Sequence, residues 1–274
     1  MKGSLAAMVC SVGYMAPLKA QMKGTIYVSG TVCEELVEGP GLGRVIEQVH
    51  PDYVVIGESS SLNLQIGQRG RGEVVIETLG KPAHSSTPHL GLNAVSKMAQ
   101  IIPVLASMPM PEDELLGLAV LEVTDIVSRP YPGMSVVPDL CKATFDRRLL
   151  VGETPESLLT DIRALLAEHA QSDPQFTARV SIADADFPSY TGFQIKAPKF
   201  ARAWKTLRDH SLVHIALKGL HEAGLKPQIG AYAFCTNGSY SAGDYGIPTV
   251  GFGPANEGQA HTIDEFITID ALLK

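Results

Sequence analysis

The chain has 274 residues, 45% of them hydrophobic and 19% charged, a balance that excludes disorder and can bury one large core or two smaller ones. A formal charge of -7 without any lysine or arginine run argues against a nucleic-acid surface, which needs a basic footprint, and favours small-molecule or peptide ligands. Cys10, Cys33, Cys141 and Cys235 are scattered and show no CxxC spacing, so buried free thiols and a reducing, cytoplasmic setting are expected rather than a disulfide framework or a cysteine zinc site.

Met1-Lys-Gly-Ser followed by the apolar run Leu5 to Ala16 has the outline of a short secretory signal. The run is shorter than the ~20 apolar residues of a membrane span. Leu5, Met8, Val9, Val12 and Met15 recur at spacings of three and four, which predicts a helix with one buried face. No other segment looks transmembrane.

Next come a predicted buried strand over Thr25 to Cys33, the adjacent pair Glu34 and Glu35, a glycine-rich turn from Gly39 to Gly43 and a helix over Leu42 to Val49. A second apolar strand, Pro51 to Gly57, ends at Glu58. From Gly67 the pattern changes: a strand over Glu73 to Leu79, a helix from about Asn93 to Leu105, and strands near Leu118 to Val123 and Leu140 to Arg148. Thr154-Pro-Glu-Ser then opens a helix to His169, and a strand lies near Phe176 to Ile182. This β-α-β-β-α-β order is the split unit of a ferredoxin-like layer. From about Asp184 an α/β pattern is expected to return, with a helix around Ser211 to Ala223 closed by Gly224, a strand around Gln228 to Phe234, and an apolar segment from Asp244 to Phe252.

Two adjacent carboxylates at a strand end repel each other and lose hydration, so the pair Glu34 and Glu35 is best explained by a bound metal ion and a proton. Glu58 stands at another strand end, and Gly251 to Ala260 leads into His261. Carboxylate oxygens with an imidazole nitrogen form a donor set that zinc accepts. If these four residues share a site, residues 1–66 and 185–274 make one discontinuous domain and residues 67–184 are inserted into it.

With these pieces together, the chain resembles the zinc aminoacylase and carboxypeptidase family that includes acetylornithine deacetylase, succinyl-diaminopimelate desuccinylase and carboxypeptidase G. The carrying motifs are Met1-Lys-Gly-Ser-Leu-Ala-Ala-Met8, Thr31-Val-Cys-Glu-Glu35, Gly57-Glu-Ser59, Gly80-Lys-Pro-Ala-His84, Asp146-Arg-Arg-Leu149 and Ala260-His-Thr-Ile-Asp-Glu265, in the family's order from end to end. The resemblance implies an α/β metallopeptidase catalytic domain with an inserted ferredoxin-like α+β lid or dimerisation domain, and a homodimer. It implies two zinc ions per subunit, with cobalt or manganese as substitutes, and hydrolysis of the amide bond of an N-acyl amino acid or small peptide. Glu34 would be the general base, Glu35 and His261 ligands of one metal and Glu58 of the other. His84 would stabilise the oxyanion in the partner subunit's site, Arg148 would hold the substrate carboxylate, and Asn237 and Gly238 would lie on a substrate-side loop.

The family's pattern also places a His-x-Asp and then a second Asp immediately before Met-Lys-Gly, where this sequence begins. The chain is therefore expected to lack the N-terminal part of the catalytic domain and to be inactive alone, since a zinc site normally needs at least three protein ligands. The alternative is a non-catalytic dimerising or binding protein that has lost its metal centre. A serine hydrolase is disfavoured because Asn237-Gly-Ser-Tyr-Ser-Ala-Gly243 lacks the Gly-x-Ser-x-Gly elbow, and Gly39-Pro-Gly-Leu-Gly-Arg44 lacks the lysine of a phosphate-binding loop.

Overall fold

The computed structural model describes residues 1–274. The chain forms two compact units, one of Met1–Arg69, Glu114–Leu116 and Ala203–Lys274, the other of Gly70–Asp113 and Gly117–Arg202. No helix is long and apolar enough to cross a membrane.

The first unit is built on a five-stranded sheet. Val54–Ile56 runs parallel to Thr249–Gly251, which meets Leu64–Gln68, and Leu64–Gln68 also pairs with Ile229–Tyr232 and Trp204–Lys205. Leu64, Ile66 and Val250 bury their side chains against Leu212 and Val213 of the helix Ser211–Glu222. The helix ends where Gly224 adopts φ +82, a left-handed conformation that a glycine takes without strain. On the helix Pro40–Val49, Leu42 and Ile46 pack with Ile56, and this small apolar cluster fixes the helix beside the strand that leads to Glu58.

Two expectations for this unit are corrected. Thr25 to Cys33 is not a strand: it runs without ladder partners, and Ile26, Tyr27 and Val32 are exposed. Its β-forming residues describe a surface that can pair, and pairing also needs a neighbouring strand. The helix Lys2–Met15 forms, but Ser4 is its one buried residue; Leu5 and Val9 are exposed and Met8, Val12 and Met15 half-buried. Apolar residues lie all round this helix, so three-and-four spacing did not isolate a face.

The second unit is an antiparallel sheet in which Ala178–Ile182 and Phe200–Ala201 share one side of Gly70–Leu79, followed by Leu140–Leu149 and then Val120–Arg129 at the far edge. The helices Ala94–Ala106 and Pro155–Ser172 join a single core with it, where Val74, Ile76, Met98, Ile101, Phe145, Leu158 and Ile162 are all at most 2% exposed. Asn93 caps the first helix through its side-chain oxygen, and Thr154 with Ser157 makes a capping box for the second. The order β-α-β-β-α-β is the one the sequence predicts.

The unit boundaries differ from the predicted ones. Residues 185–202 stay with the second unit: Asp184–Pro188 and Gln194–Pro198 form a hairpin, Phe200 and Ala201 pair with Gly72 and Arg71, and Lys199 bonds Glu73. The first unit resumes at Ala203 and also takes in Glu114–Leu116. An edge strand of two residues carries too little periodicity to be read as a strand. Of the four free cysteines, Cys141 and Cys235 are buried as expected, whereas Cys10 is exposed and Cys33 half-buried.

Candidate active site

Glu34 and Glu35 sit in a tight turn closed by the backbone N–H groups of Leu36 and Val37 donating to the carbonyl of Cys33, a residue held at φ 61. The turn passes to Gly39, at φ +102, and then into the helix Pro40–Val49. Gly39 and Gly43 lie one helical turn apart under the ring of Tyr240; a Cβ on Gly39 would come within 1.9 Å of that ring. The glycine-rich turn thus makes room for an aromatic side chain.

Glu58 reaches the same place from the strand Val54–Ile56. Its backbone is closely confined, since a Cβ on Gly253 would stand 2.2 Å from the Glu58 carbonyl oxygen, and that oxygen accepts a hydrogen bond of 3.1 Å from the Tyr232 hydroxyl. Glu34, Glu35, Glu58 and Asn237 line one cavity of ≈ 500 Å³, together with Met1, Leu42, Ile46 and Gly57 among others. His261 Nε2 lies 3.6 Å from Glu35 Oε2, both side chains being exposed. His261 itself is held at φ 59, a conformation uncommon for a residue with a side chain.

The acids repel one another, and each raises its neighbour's affinity for a proton. Burial, and then the charges of Glu58, Glu38 and Glu35, push the Glu34 carboxyl up to about 8. Burial likewise raises Glu58, opposed by the α-amino group of Met1 and reinforced by Glu35. Such a cluster holds at least one proton near neutral pH, a property of groups that exchange protons during catalysis.

The donors present do not amount to a metal centre: no three His, Cys, Asp or Glu side chains converge in metal-holding geometry. Glu35 and His261 approach each other, and Glu58 lines the same cavity, but a closed zinc coordination sphere takes four ligands and an open one three. The set therefore does not fit a complete zinc site.

The sequence of the peptidase dimerisation domain of the M20 family matches residues 66–174. The protein YgeY of Escherichia coli strain K12 is 36% identical over 270 residues, covering 96% of this chain and 65% of YgeY. Residues 66–174 thus carry the dimerisation domain of M20 peptidases. Acetylornithine deacetylase of Vibrio vulnificus is 28% identical over 273 residues, covering 94% of this chain and 65% of the enzyme. The chain thus spans about 65% of the length of these curated relatives. Among solved structures, the aminopeptidase PepT of Bacillus cereus superposes with a TM-score of 0.70 at 19% identity, covering 99% of this chain and 67% of that one, and shares the fold. Human carnosine dipeptidase 1 does so with a TM-score of 0.62 at 13% identity, covering 99% and 69%.

Within the M20 dimerisation domain, His84 is exposed and its Nδ1 accepts the backbone N–H of Ser86 at 3.1 Å. A ring nitrogen that accepts carries no proton, so the neutral imidazole bears its proton on Nε2 and turns a donor outward. Arg148 is half-buried and paired with Asp146, Nε to Oδ1 at 2.7 Å, while Arg71 approaches the other oxygen of the same carboxylate at 2.9 Å. In the first unit, Asn237 turns its amide onto Thr31 and Gly39, and Gly238 lies against the Trp204 indole. The hydrogen bonds of Thr31 and Tyr232 have no signature in the sequence. Thr31 opens the motif that ends in Glu35, yet no spacing joins it to Asn237, and nothing marks Tyr232 among the apolar residues of its strand.

Proposed function

We propose that this chain is the part of an M20-type amide hydrolase that carries the acidic loop, and that the substrate is an N-acyl amino acid or small peptide with a free carboxylate. The observation that supports this best is the meeting of Glu34, Glu35 and Glu58 on one cavity, with Glu34 raised to about 8 by burial and its acidic neighbours. A buried carboxyl that titrates near neutrality is suited to general acid–base work at an amide. In this reading Glu34 carries the proton between the attacking water and the leaving nitrogen, His84 serves the oxyanion in the partner subunit's site, and Arg148 is the group that binds a substrate carboxylate. The M20 dimerisation domain supports a homodimer.

A second reading, a dimerising or binding protein without hydrolysis, is favoured by the absence of three converging metal ligands. Amine release from a panel of N-acyl amino acids and dipeptides, measured with and without added zinc, cobalt or manganese on a form extended upstream of Met1 by a His-x-Asp strand and a second Asp, separates the two. The enzyme reading expects turnover that Glu34→Gln lowers by about 10²-fold or more. Turnover indifferent to Glu34→Gln would overturn the assigned role of that residue, and a dimer without turnover on any substrate would favour the second reading.

A further inference from the structure

Asn237 holds the acidic loop at both ends. Its Nδ2 donates to Thr31 Oγ1 at 2.7 Å and its Oδ1 accepts the Gly39 backbone N–H at 2.9 Å. A backbone N–H can only donate, so the carbonyl end of the amide must face Gly39, which leaves the NH₂ end for Thr31. Between these two anchors lie Glu34 and Glu35, and beyond the second begins the helix Pro40–Val49.

The amide is in turn fixed from below. Gln68, fully buried at the end of the strand Leu64–Gln68, donates through Nε2 to the Thr236 carbonyl at 3.2 Å and accepts the Thr236 hydroxyl on Oε1. Thr236 Oγ1 accepts the Gly238 N–H at 3.0 Å, closing a turn around Asn237. Trp204, 2% exposed, backs this turn so closely that a Cβ on Gly238 would stand 2.5 Å from its Nε1. Three residues further on, Tyr240 covers Gly39 and Gly43. One short segment therefore grips the acidic loop by an amide at both ends and by a ring at its exit.

From this geometry we infer that Asn237 is a positioning residue, which sets where Glu34 and Glu35 stand by tying Thr31 to Gly39, and not a contact for substrate. The inference rests on the reading of the Glu34–Glu35 loop as the working part of the site. The chemistry of the two partners predicts which substitutes serve. An aspartate accepts the Gly39 N–H with one oxygen and the Thr31 O–H with the other, whereas a leucine of similar size makes neither bond.

Hydrogen–deuterium exchange on the whole chain without substrate tests this independently of hydrolysis. Asn237→Leu is expected to speed exchange across residues 31–39 by roughly tenfold or more while peptides from 70–113 and 117–202 keep their protection. Asn237→Asp is expected to stay within about twofold of the parent. Thr31→Val removes one anchor only and gives a smaller acceleration in the same peptides, so the idea remains testable if Asn237→Leu unfolds. Unchanged protection of 31–39 in the leucine and valine variants, or equal acceleration in leucine and aspartate variants, would overturn it. With an active preparation, positioning predicts a loss in kcat at nearly constant KM for Asn237→Leu, and a rise in KM at constant kcat would return Asn237 to the substrate.

Discussion

At Glu34 the fold opposes the ordinary chemistry of a carboxylate, and the consequence can be measured as stability. The unfolded chain releases this proton near 4.5, whereas the folded chain holds it up to about 8. Between those values the folded state binds more protons than the unfolded one, so this group's contribution falls as pH rises from about 4.5 to about 8 and is intact below that window. Glu34→Gln, neutral at every pH, should therefore raise the melting temperature at pH 8 and leave it nearly unchanged at pH 4, by about 2–4 °C for each kcal/mol recovered. Equal shifts at both pH values would mean that the charge is not the cause. A few residues along, Gly39 has a different constraint, since φ +102 and the overlying Tyr240 ring both exclude a side chain. Gly39→Ala should cost about 2–4 kcal/mol from backbone strain and overpacking together, read as a lower denaturant midpoint with an unchanged slope.

Whole elements were legible in the sequence where their signals were local. Thr154-Pro-Glu-Ser names its own helix start because the cap is made within four residues, and the hydroxyls of Thr154 and Ser157 exchange hydrogen bonds with each other's backbone N–H as that spacing requires. Thr154→Ala should cost about 1 kcal/mol, seen as a lower midpoint in chemical denaturation, and Thr154→Ser should restore most of it. Of the strands Gly70–Leu79 and Leu140–Leu149, the stretches Glu73 to Leu79 and Leu140 to Arg148 were equally readable from their own residues, whereas the ladder that joins them was not, because its partners lie far apart in the chain. Thr25 to Cys33 was misread because its composition reports β propensity while its fate depends on a pairing partner that no local pattern encodes. The candidate site divides in the same way. Glu34, Glu35, Glu58 and His261 stand out as residue types at element ends, but the tie from Asn237 to Thr31 spans 206 positions and exists only once the chain has folded.

At the scale of the whole molecule, the second unit leaves a question of association that its own sheet raises. Val120–Arg129 pairs with Leu140–Leu149 on one side and has no strand on the other. An open edge of this length is an invitation to pair unless charge or proline guards it. Here Ile126 is 50% exposed and Val127 46%, and because neighbouring residues of a strand point to opposite faces, both faces of the edge are apolar at that place. Tyr131 and Met134 in the turn that follows are more than four-fifths exposed. The unit contains most of the segment that matches the M20 dimerisation domain, so the proposed homodimer has a natural seat on this edge. Replacing Ile126 and Val127 by lysine should leave the monomer's stability within about 0.5 kcal/mol, since neither side chain belongs to the core, while weakening self-association by tenfold or more. Sedimentation across a range of concentrations, with thermal melting as the control for folding, reads both quantities. A dimer that survives both substitutions with unchanged affinity would move the interface away from this strand, because two like charges facing their symmetry mates across a paired edge would be costly to keep.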